Sequence, residues 1–338
     1  MNIRNITVLA LSAAAVTATA LAPSSSQADH AVAATCGSLP ATIVGDNGPD
    51  RIRGTSGPDV IASLGGNDIM FGVGGDDTIC LGAGRDSGKG GAGDDEFRAE
   101  AADGSDSYVG DAGRDLMSYL QRTTSVTVSI DGESDDGATG ERDDVQLSVE
   151  DVVGSQANDR LVGSDAVNGL FGGNGRDELV GALGNDSLSG GNDDDRLIGN
   201  AGDDFGFGNA GNDVWVGAAV DDGSDFFEGS VGIDTASYEF RNAGDRLTVR
   251  IDNLANDGSL GEGDNVRLDV ENVIGGSAND ILAANQFQEN PNRLVGGFGN
   301  DSLSTTDAPH IIRDVADGGP GSDICFTDAD DSRVSCEF

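Results

Sequence analysis

Aspartate, replaced once by asparagine, recurs every nine residues in two stretches of the chain. The first series is Asp50, Asp59, Asp68, Asp77, Asp86 and Asp95. The second series is Asp159, Asn168, Asp177, Asp186, Asp195, Asp204 and Asp213. Glycine dominates the residues before each aspartate, and a large apolar residue usually follows two positions after it, as in GGNGRDELV. A strict period of this kind restricts the chain to an architecture of stacked repeats.

Each nine-residue unit contains a turn of about six residues and a strand of about three. Because side chains alternate along a strand, one residue in three points inward, and that residue is the apolar one. Glycine at this density excludes a helix. The sequence therefore predicts an all-β fold, a right-handed parallel β-roll or β-helix of nonapeptide repeats in two tandem modules. The predicted inward positions are Ile52, Ile61, Met70, Ile79, Gly88, Phe97, Leu161, Leu170, Leu179, Leu188, Leu197, Gly206 and Trp215.

Two units form one coil, so alternate aspartates stack along the same edge of the predicted roll. Unit charges about 4 Å apart repel by roughly 4 kcal/mol at an effective dielectric constant near 20, so such rows need cations between the coils. Calcium accepts six to eight oxygen ligands in loose geometry, whereas magnesium demands a rigid octahedron. We therefore predict several Ca²⁺ ions as cofactors, bound by the sixth residue of each unit and by an acid or amide at the fifth. The predicted sixth-position ligands are Asp50, Asp59, Asp68, Asp77, Asp86, Asp95, Asp159, Asp177, Asp186, Asp195, Asp204, Asp213 and Asp301. The predicted fifth-position ligands are Asn67, Asp76, Asp94, Asn185, Asp194, Asp203 and Asn212.

The composition by itself resembles that of a disordered chain. The formal net charge is −41, with 53 glycines and 5% aromatic residues, so there is little apolar surface to bury. The nine-residue order argues against disorder. A surface this acidic repels phosphate backbones and anionic lipids, which argues against nucleic acid and membrane partners and favours multivalent cations.

The repeats resemble the haemolysin-type, or RTX, calcium-binding nonapeptides. The segments GGVGGDDTIC, GGAGDDEFR, GGNGRDELV and GGFGNDSLS carry the resemblance. It covers most of residues 45–119 and 154–238 and continues as scattered repeats to about residue 325. The resemblance implies a parallel β-roll that folds when calcium binds between successive turns. The N-terminal segment and cysteines look more like small exported repeat proteins of actinobacteria than like the toxins of the family.

Four positions depart from the repeat pattern. Gly88 and Gly206 replace the inward apolar residue, so we expect poor packing in those coils, with Phe205 and Phe207 compensating near the second. Arg85 and Arg176 occupy fifth positions, so we expect weaker calcium binding at those turns.

The N-terminal residues have the character of an export signal. Residues 1–28 carry one charge, an apolar run and small residues suited to cleavage after Ala28 or as late as Ala33. The alternative is a membrane anchor; after signal removal we expect no membrane span.

In an exported chain, four cysteines suggest the disulfides Cys36–Cys80 and Cys325–Cys336. The alternative, a zinc site, lacks a CxxC motif and has only His30 and His310 available.

The nonapeptide blocks belong to a longer module that occurs twice in the chain. Residues 104–159 resemble 223–280, and each copy has two alternating strands around an acidic loop. The loops do not fit an EF-hand, so we interpret them as an extra calcium site or a widened coil, or else as solvated acidic loops. The predicted organisation is a signal at 1–28, nonapeptide blocks at 36–103 and 154–222, β segments at 104–153 and 223–274, and degenerate repeats with a disulfide-closed cap at 275–338.

The sequence offers no recognisable catalytic motif. No G-x-S-x-G occurs, and the glycine-rich turns lack the G-K-[ST] of a phosphate loop. The first prediction is a secreted, extracellular calcium-binding protein that is not an enzyme. The first alternative is a calcium-dependent adhesion or carbohydrate-binding protein whose partner is a cell-surface polysaccharide or protein. The second alternative is a polysaccharide lyase or epimerase, because β-helices also carry such activities.

Overall fold

The computed structural model describes residues 34–100, 104–219, 222–285, 290–306 and 312–337. Every regular element in these ranges is a β-strand, and the strands form a parallel β-solenoid of about 14 turns. The predicted signal segment, His30 and His310 lie outside the described ranges. Within those ranges, no helix has the length and hydrophobicity needed to cross a bilayer.

Four sheets form the walls of the solenoid. Sheet 1 has eleven strands: Ile43–Val44, Val60–Ala62, Thr78–Cys80, Glu96–Arg98, Leu116–Ser118, Asp151–Val153, Gly169–Asn174, Ser187–Asn192, Phe205–Ala210, Phe226–Val231 and Asn265–Val266. Sheet 2 has five strands: Arg51–Arg53, Ile69–Phe71, Ser87–Ala92, Ser107–Ala112 and Asp144–Val145. Sheet 3 has eleven strands: Val126–Ser129, Gly137–Ala138, Arg160–Val162, Glu178–Leu183, Arg196–Ala201, Val214–Val216, Thr235–Ser237, Asn272–Ile274, Arg293–Val295, Val315–Asp317 and Ser332–Val334. Sheet 4 has four strands: Thr248–Arg250, Ile281–Ala283, Ser302–Ser304 and Ile324–Phe326.

Strands alternate between opposite walls, and in the nonapeptide blocks each pairs in parallel with the strand one coil later. Ile61 lies beside Ile79 and Leu170 beside Leu188, which confirms the predicted coil of two nonapeptides. A parallel pair also joins Gly65–Gly66 to Ala83–Gly84. The described strands form two antiparallel pairs, Thr35–Cys36 with Leu39–Pro40 and Val126–Ser129 with Gly137–Ala138.

The inward apolar side chains form one continuous core. Every predicted inward residue other than the two glycines is at most 8% exposed, and Leu161, Leu179 and Leu197 are fully buried. One residue per coil from each wall therefore supplies the core, as the nine-residue period predicts.

The two inward glycines are well packed, so the expectation of poor packing is wrong. A Cβ at Gly88 would lie 3.0 Å from both Leu81 Cδ2 and Phe97 Cε1. A Cβ at Gly206 would collide with the ring of Trp215, and that ring stacks on Phe227. Large neighbouring side chains thus fill the space that each glycine leaves.

Phe205 and Phe207 do not compensate for Gly206. Both lie on the outer side of sheet 1, where each contacts Phe226 with ring centroids 5.8–5.9 Å apart. Phe205 is 38% exposed. The alternation of side chains along the strand places them opposite to the buried glycine.

Two coils are much longer than the others, and they contain the β segments predicted from the longer repeat. In the first, backbone-to-carboxylate hydrogen bonds join residues 33 to 37 apart instead of 18. In the second, the equivalent separations are 33 to 39 residues. We call these the widened coils, residues 106–159 and 225–280. Sheet 2 ends and sheet 3 begins in the first; sheet 1 ends and sheet 4 begins in the second.

The acidic loops of the widened coils are closed by their own carboxylates. Asp136 accepts backbone hydrogen bonds from Ser129 and Val145 at 2.7 and 2.8 Å. Asp257 accepts the equivalent pair from Arg250 and Val266. Both oxygens of each carboxylate thereby accept a hydrogen bond from the loop itself, while an extra calcium site in these loops stays a prediction.

Both predicted disulfides are present. Cys36–Cys80 ties the N-terminal hairpin to sheet 1, with a Cα–Cα distance of 5.4 Å. Cys325–Cys336 closes the last coil, with a Cα–Cα distance of 5.8 Å.

In many of the nonapeptides the second position has a positive φ, which strains a β-branched residue. Val73 occupies this position with φ 91°, in a region that β-branched residues avoid. We predict that Val73→Gly raises the free energy of unfolding by about 1 kcal/mol, the scale of strain at such a residue. Thermal and denaturant unfolding in excess calcium measure the change.

The control for this prediction is Val60→Gly. Val60 lies in a strand of sheet 1, where glycine adds flexibility without relieving strain, so unfolding should become easier. Equal destabilisation by both substitutions would contradict the prediction.

Candidate metal centre

A row of carboxylates runs along the start of the strands in each sheet. In the nonapeptide coils, Oδ1 of a sixth-position aspartate accepts a hydrogen bond from the backbone N–H of its counterpart one coil earlier. The bonds from Asp159 to Asp177 and from Asp177 to Asp195 measure 2.7 and 2.8 Å. This arrangement confirms that aspartates of alternate units stack along one edge.

The rows extend beyond the predicted ligands. The row of sheet 1 is Asp59, Asp77, Asp95, Asp115, Glu150, Asn168, Asp186, Asp204, Asp225 and Asp264. The row of sheet 2 is Asp50, Asp68, Asp86, Asp106 and Asp143. The row of sheet 3 is Asp159, Asp177, Asp195, Asp213, Asp234, Glu271, Asn292, Asp314 and Asp331. The row of sheet 4 is Asp280, Asp301 and Asp323.

The second oxygen of many row carboxylates is buried without a hydrogen-bond partner. The residues with such an Oδ2 are Asp68, Asp77, Asp95, Asp115, Asp177, Asp186, Asp195, Asp204, Asp213, Asp234, Asp301 and Asp323. A buried anionic oxygen without a partner carries a large desolvation cost. Its repetition along the rows indicates that a cation completes these sites.

The surroundings of these oxygens suit calcium. At Gly172, Gly181 and Gly296, the space that a Cβ would occupy is bordered by Oδ2 of the aspartate five residues later and by the carbonyl oxygen of the glycine in the next coil. Glycine therefore leaves a gap lined by carboxylate and carbonyl oxygens. These are hard oxygen donors, the kind that calcium prefers.

Each pair of coils offers two carboxylates together with main-chain carbonyls. Within the described ranges, no cluster of three or more acidic, histidine or cysteine side chains is placed to hold a metal ion. The oxygens that line the gaps at Gly172, Gly181 and Gly296 come from both side chains and main-chain carbonyls.

Three predicted ligands differ from the others. Oδ2 of Asp50, Asp59 and Asp159 accepts the backbone N–H of the residue four positions earlier. Asp159 also accepts the backbone N–H of Val126 through Oδ1, so both of its oxygens have a donor. Their need for a cation is correspondingly smaller.

The fifth-position residues form a second set of hydrogen bonds on the outside of the turns. Asp76 Oδ1 accepts the backbone N–H of Asp94, and Asn185 Oδ1 accepts that of Asp203, both at 3.0 Å. Asn67, Asp94, Asp194, Asp203 and Asn212 accept equivalent bonds from the coil that follows. These side chains link the coils directly, and their role as calcium ligands stays a prediction.

The arginines at fifth positions differ from those acids. Arg176 forms an ion pair with Asp194 in the next coil at 2.8 Å and is 68% exposed. The weaker calcium binding expected at Arg85 and Arg176 stays a prediction.

Sequence reasoning missed the row members inside and after the widened coils. Glu150 and Glu271 take the place of aspartate, and their Oε2 atoms accept the backbone N–H groups of Asp115 and Asp234. The nine-residue count fails there because more than thirty residues separate the partners. The longer internal repeat aligns these glutamates with each other and was the available signal.

Burial raises the pKa of Asp177, Asp186 and Asp195 in the rows far above the ordinary value for aspartate. The pKa of Asp177 and Asp186 is about 7, and that of Asp195 is about 8. The backbone N–H that each carboxylate accepts opposes this effect, and neighbouring carboxylates add to it. In the absence of a metal ion, these carboxyls therefore hold protons at the positions where a cation would bind.

Parallel coils with glycine turns and stacked carboxylates define a calcium-binding β-roll. Four copies of the RTX calcium-binding nonapeptide repeat match the chain, at residues 44–79, 150–179, 180–214 and 289–307. These matches confirm the sequence-based identification of RTX repeats. No curated protein matches the chain.

The raised pKa values predict that the calcium-free fold loses stability as pH rises. The unfolded chain releases these protons near pH 4, whereas the folded chain holds those of Asp177, Asp186 and Asp195 up to about pH 7–8. Stability from this source is complete below pH 4 and is lost as pH rises through 7–8. We expect the melting temperature in EDTA to fall between pH 5 and pH 8. Saturating calcium, which replaces the protons, should remove most of this fall, whereas a melting temperature that rises with pH in EDTA would contradict the assignment.

Proposed function

We propose that this protein is a secreted, non-catalytic calcium-binding repeat protein whose coils are locked together by Ca²⁺ bound along the carboxylate rows. The observation that carries the proposal is the repeated buried Oδ2 without a partner, beside the carbonyl oxygens of the next coil. The RTX repeats support the identity of the ion.

Extracellular calcium concentrations suit such a protein. Extracellular calcium modules have dissociation constants of roughly 0.1–1 mM. A tenfold excess of ion over the dissociation constant contributes about 1.4 kcal/mol per site. Several sites in series would therefore offset the repulsion between row carboxylates and the conformational entropy of the glycine-rich turns.

We predict that Asp195→Asn weakens calcium-dependent stabilisation. Asp195 has a buried Oδ2 without a partner in the row of sheet 3, so the substitution removes an anionic ligand. The rise in melting temperature between EDTA and millimolar calcium should shrink, and isothermal titration calorimetry should show fewer or weaker sites.

The matched control is Asp193→Asn, which removes the same charge at an exposed turn position two residues away. Asparagine also tolerates the positive φ of Asp193. An equal loss of calcium response in both variants would show that overall charge, and not the row, controls binding. An unaltered circular dichroism spectrum and melting temperature of the wild type on adding calcium would contradict the proposal.

Export is part of the proposal. The charge-poor, apolar N-terminal segment supports it, and so do the two disulfides, which persist in oxidising compartments. N-terminal sequencing of the protein recovered from the medium should find a start after Ala28 or Ala33. Recovery of only the uncleaved chain from the cytoplasm would contradict export.

A second candidate function, carbohydrate binding, is favoured by an aromatic cluster on the outer side of sheet 1. Phe205 and Phe207 lie on one strand, and each contacts Phe226 on the neighbouring strand. The Arg267 guanidinium lies 5.4 Å from the Phe226 ring centroid. One exposed and two half-buried rings beside a cation suit stacking against the apolar face of a sugar.

We predict that, if the protein binds glycans, Phe205→Ser with Phe207→Ser abolishes binding on a glycan array and leaves the calcium titration unchanged. The matched control is Phe298→Ser, which removes a more exposed phenylalanine elsewhere. Glycan binding that survives the double substitution would exclude this surface.

A further inference from the structure

Each widened coil contains an internal cation of its own. Arg241 is fully buried, and its Nη2 forms ion pairs with Asp222 and Glu262. In the first widened coil, Arg122 pairs with Glu141 in the same way and is 2% exposed. Both guanidiniums also lie over a buried tyrosine ring. The widened coils therefore neutralise part of their acidic charge without a metal ion.

The carboxylate row that ends in each widened coil is closed by a tyrosine hydroxyl. Tyr119 donates to Asp143 Oδ2 at 3.2 Å, ending the row of sheet 2. Tyr238 donates to Asp264 Oδ2 at 3.0 Å, ending the row of sheet 1. The last carboxylate of each row thus has a donor where the nonapeptide rows leave an oxygen open.

The row that passes through each widened coil then changes from carboxylate to amide. Asn168 follows Glu150 in the row of sheet 1, and its Nδ2 donates to the Glu150 carbonyl at 2.9 Å. Asn292 follows Glu271 in the row of sheet 3 and makes the same bond at 3.0 Å. The Ser164 N–H donates to Asn168 Oδ1 at 2.7 Å, which fixes the nitrogen toward the carbonyl.

The next member of the row shows what the amide replaces. Asp186 accepts the Asn168 N–H through Oδ1 at 2.8 Å, and its Oδ2 is buried with no partner. At Asn168, the amide Oδ1 lies beside the carbonyl oxygen of Gly181, where other coils place the open Oδ2, and it already accepts the Ser164 N–H. The amide is also neutral, so this coil lacks the anionic, open oxygen that would bind a cation.

We propose that residues 119–145 and 238–266 of the widened coils, together with the asparagine that follows each coil, form calcium-independent joints that divide the calcium array into separate blocks. Asp115 and Asp234, at the start of the widened coils, belong to the blocks that precede the joints. Asn168 and Asn292 keep calcium out of the joints, while Arg122 and Arg241 hold them together. The inference rests on the proposed calcium binding of the nonapeptide rows.

The first experiment converts an asparagine of a joint into a calcium ligand. Asn168→Asp places a carboxylate oxygen against the Glu150 carbonyl in place of the N–H donor. Equilibrium dialysis with metal analysis should then find about one additional Ca²⁺ per chain, because the site gains the missing anionic ligand. The variant should be less stable than the wild type in EDTA and should gain more stability from calcium.

The matched control is Asn174→Asp, which adds the same charge on the outer side of the same coil. Asn174 bonds only to Gln156 and Asn192 among the partners described, so its substitution should leave the bound calcium unchanged. Asn292→Asp repeats the test in the second joint if the first variant does not fold. An unchanged calcium content in the folded Asn168→Asp variant would overturn the proposal.

The second experiment follows hydrogen exchange of the full chain as calcium is withdrawn stepwise. Amides of residues 119–145 and 238–266 should be the last to lose protection, and those beside Asp186 and Asp204 should lose it earlier. Arg241→Gln should abolish the late protection of residues 238–266. Arg176→Gln, which removes an exposed ion pair, should not.

The outcomes separate the two proposals. A wild-type chain that binds no calcium would refute the proposed function. A wild-type chain that binds calcium but loses protection in the joints first, or at the same calcium level as the rows, would overturn the joints alone.

Discussion

The structure depends on one hydrogen bond that recurs from coil to coil: a backbone N–H at the start of a strand donates to the carboxylate of the next coil. This bond sets the register between coils, because it joins residues exactly one coil apart, as between Asp177 and Asp195. It also fixes one carboxylate oxygen inside the structure. The second oxygen of the same carboxylate is then buried as well, and its negative charge favours a nearby counterion. The same bond therefore sets the register of the coils and leaves the buried oxygen that the proposed calcium would bind.

Glycine is the structural partner of that bond. At the first position of a nonapeptide such as Gly181, any side chain would collide with Oδ2 of Asp186. At the second position, glycine provides the positive φ that strains Val73. By composition alone, a high glycine content suggests disorder. In this fold, the glycines provide the space and the backbone angles that the carboxylate rows need. The entropic cost of that glycine is one reason why the proposed ion would contribute to folding as well as to binding.

The widened coils offset part of the charge of their buried carboxylates with side-chain donors of their own. Where the chain departs from the nine-residue period, a buried arginine, a tyrosine hydroxyl and an asparagine amide provide donors to the carboxylates and carbonyls. Both copies of the long repeat carry the arginine and the tyrosine at equivalent places, and an asparagine follows each copy in its carboxylate row. A solenoid that alternates ion-dependent and self-sufficient coils can respond to calcium in parts.

The sequence by itself determined the coil length, the inward residues and the stacking of the aspartates, because each follows from a period that is local and repeated. It also indicated both disulfides by their proximity along the chain. Only the tertiary structure decided what fills the space beside Gly206, since Trp215 reaches it from the opposite wall. Only the structure placed Glu150 in the row of sheet 1, since its partner Asp115 lies 35 residues earlier, outside the nine-residue count. The reason is that a periodic pattern specifies neighbours one coil apart, whereas contacts across the core and across an irregular coil depend on how the whole chain packs.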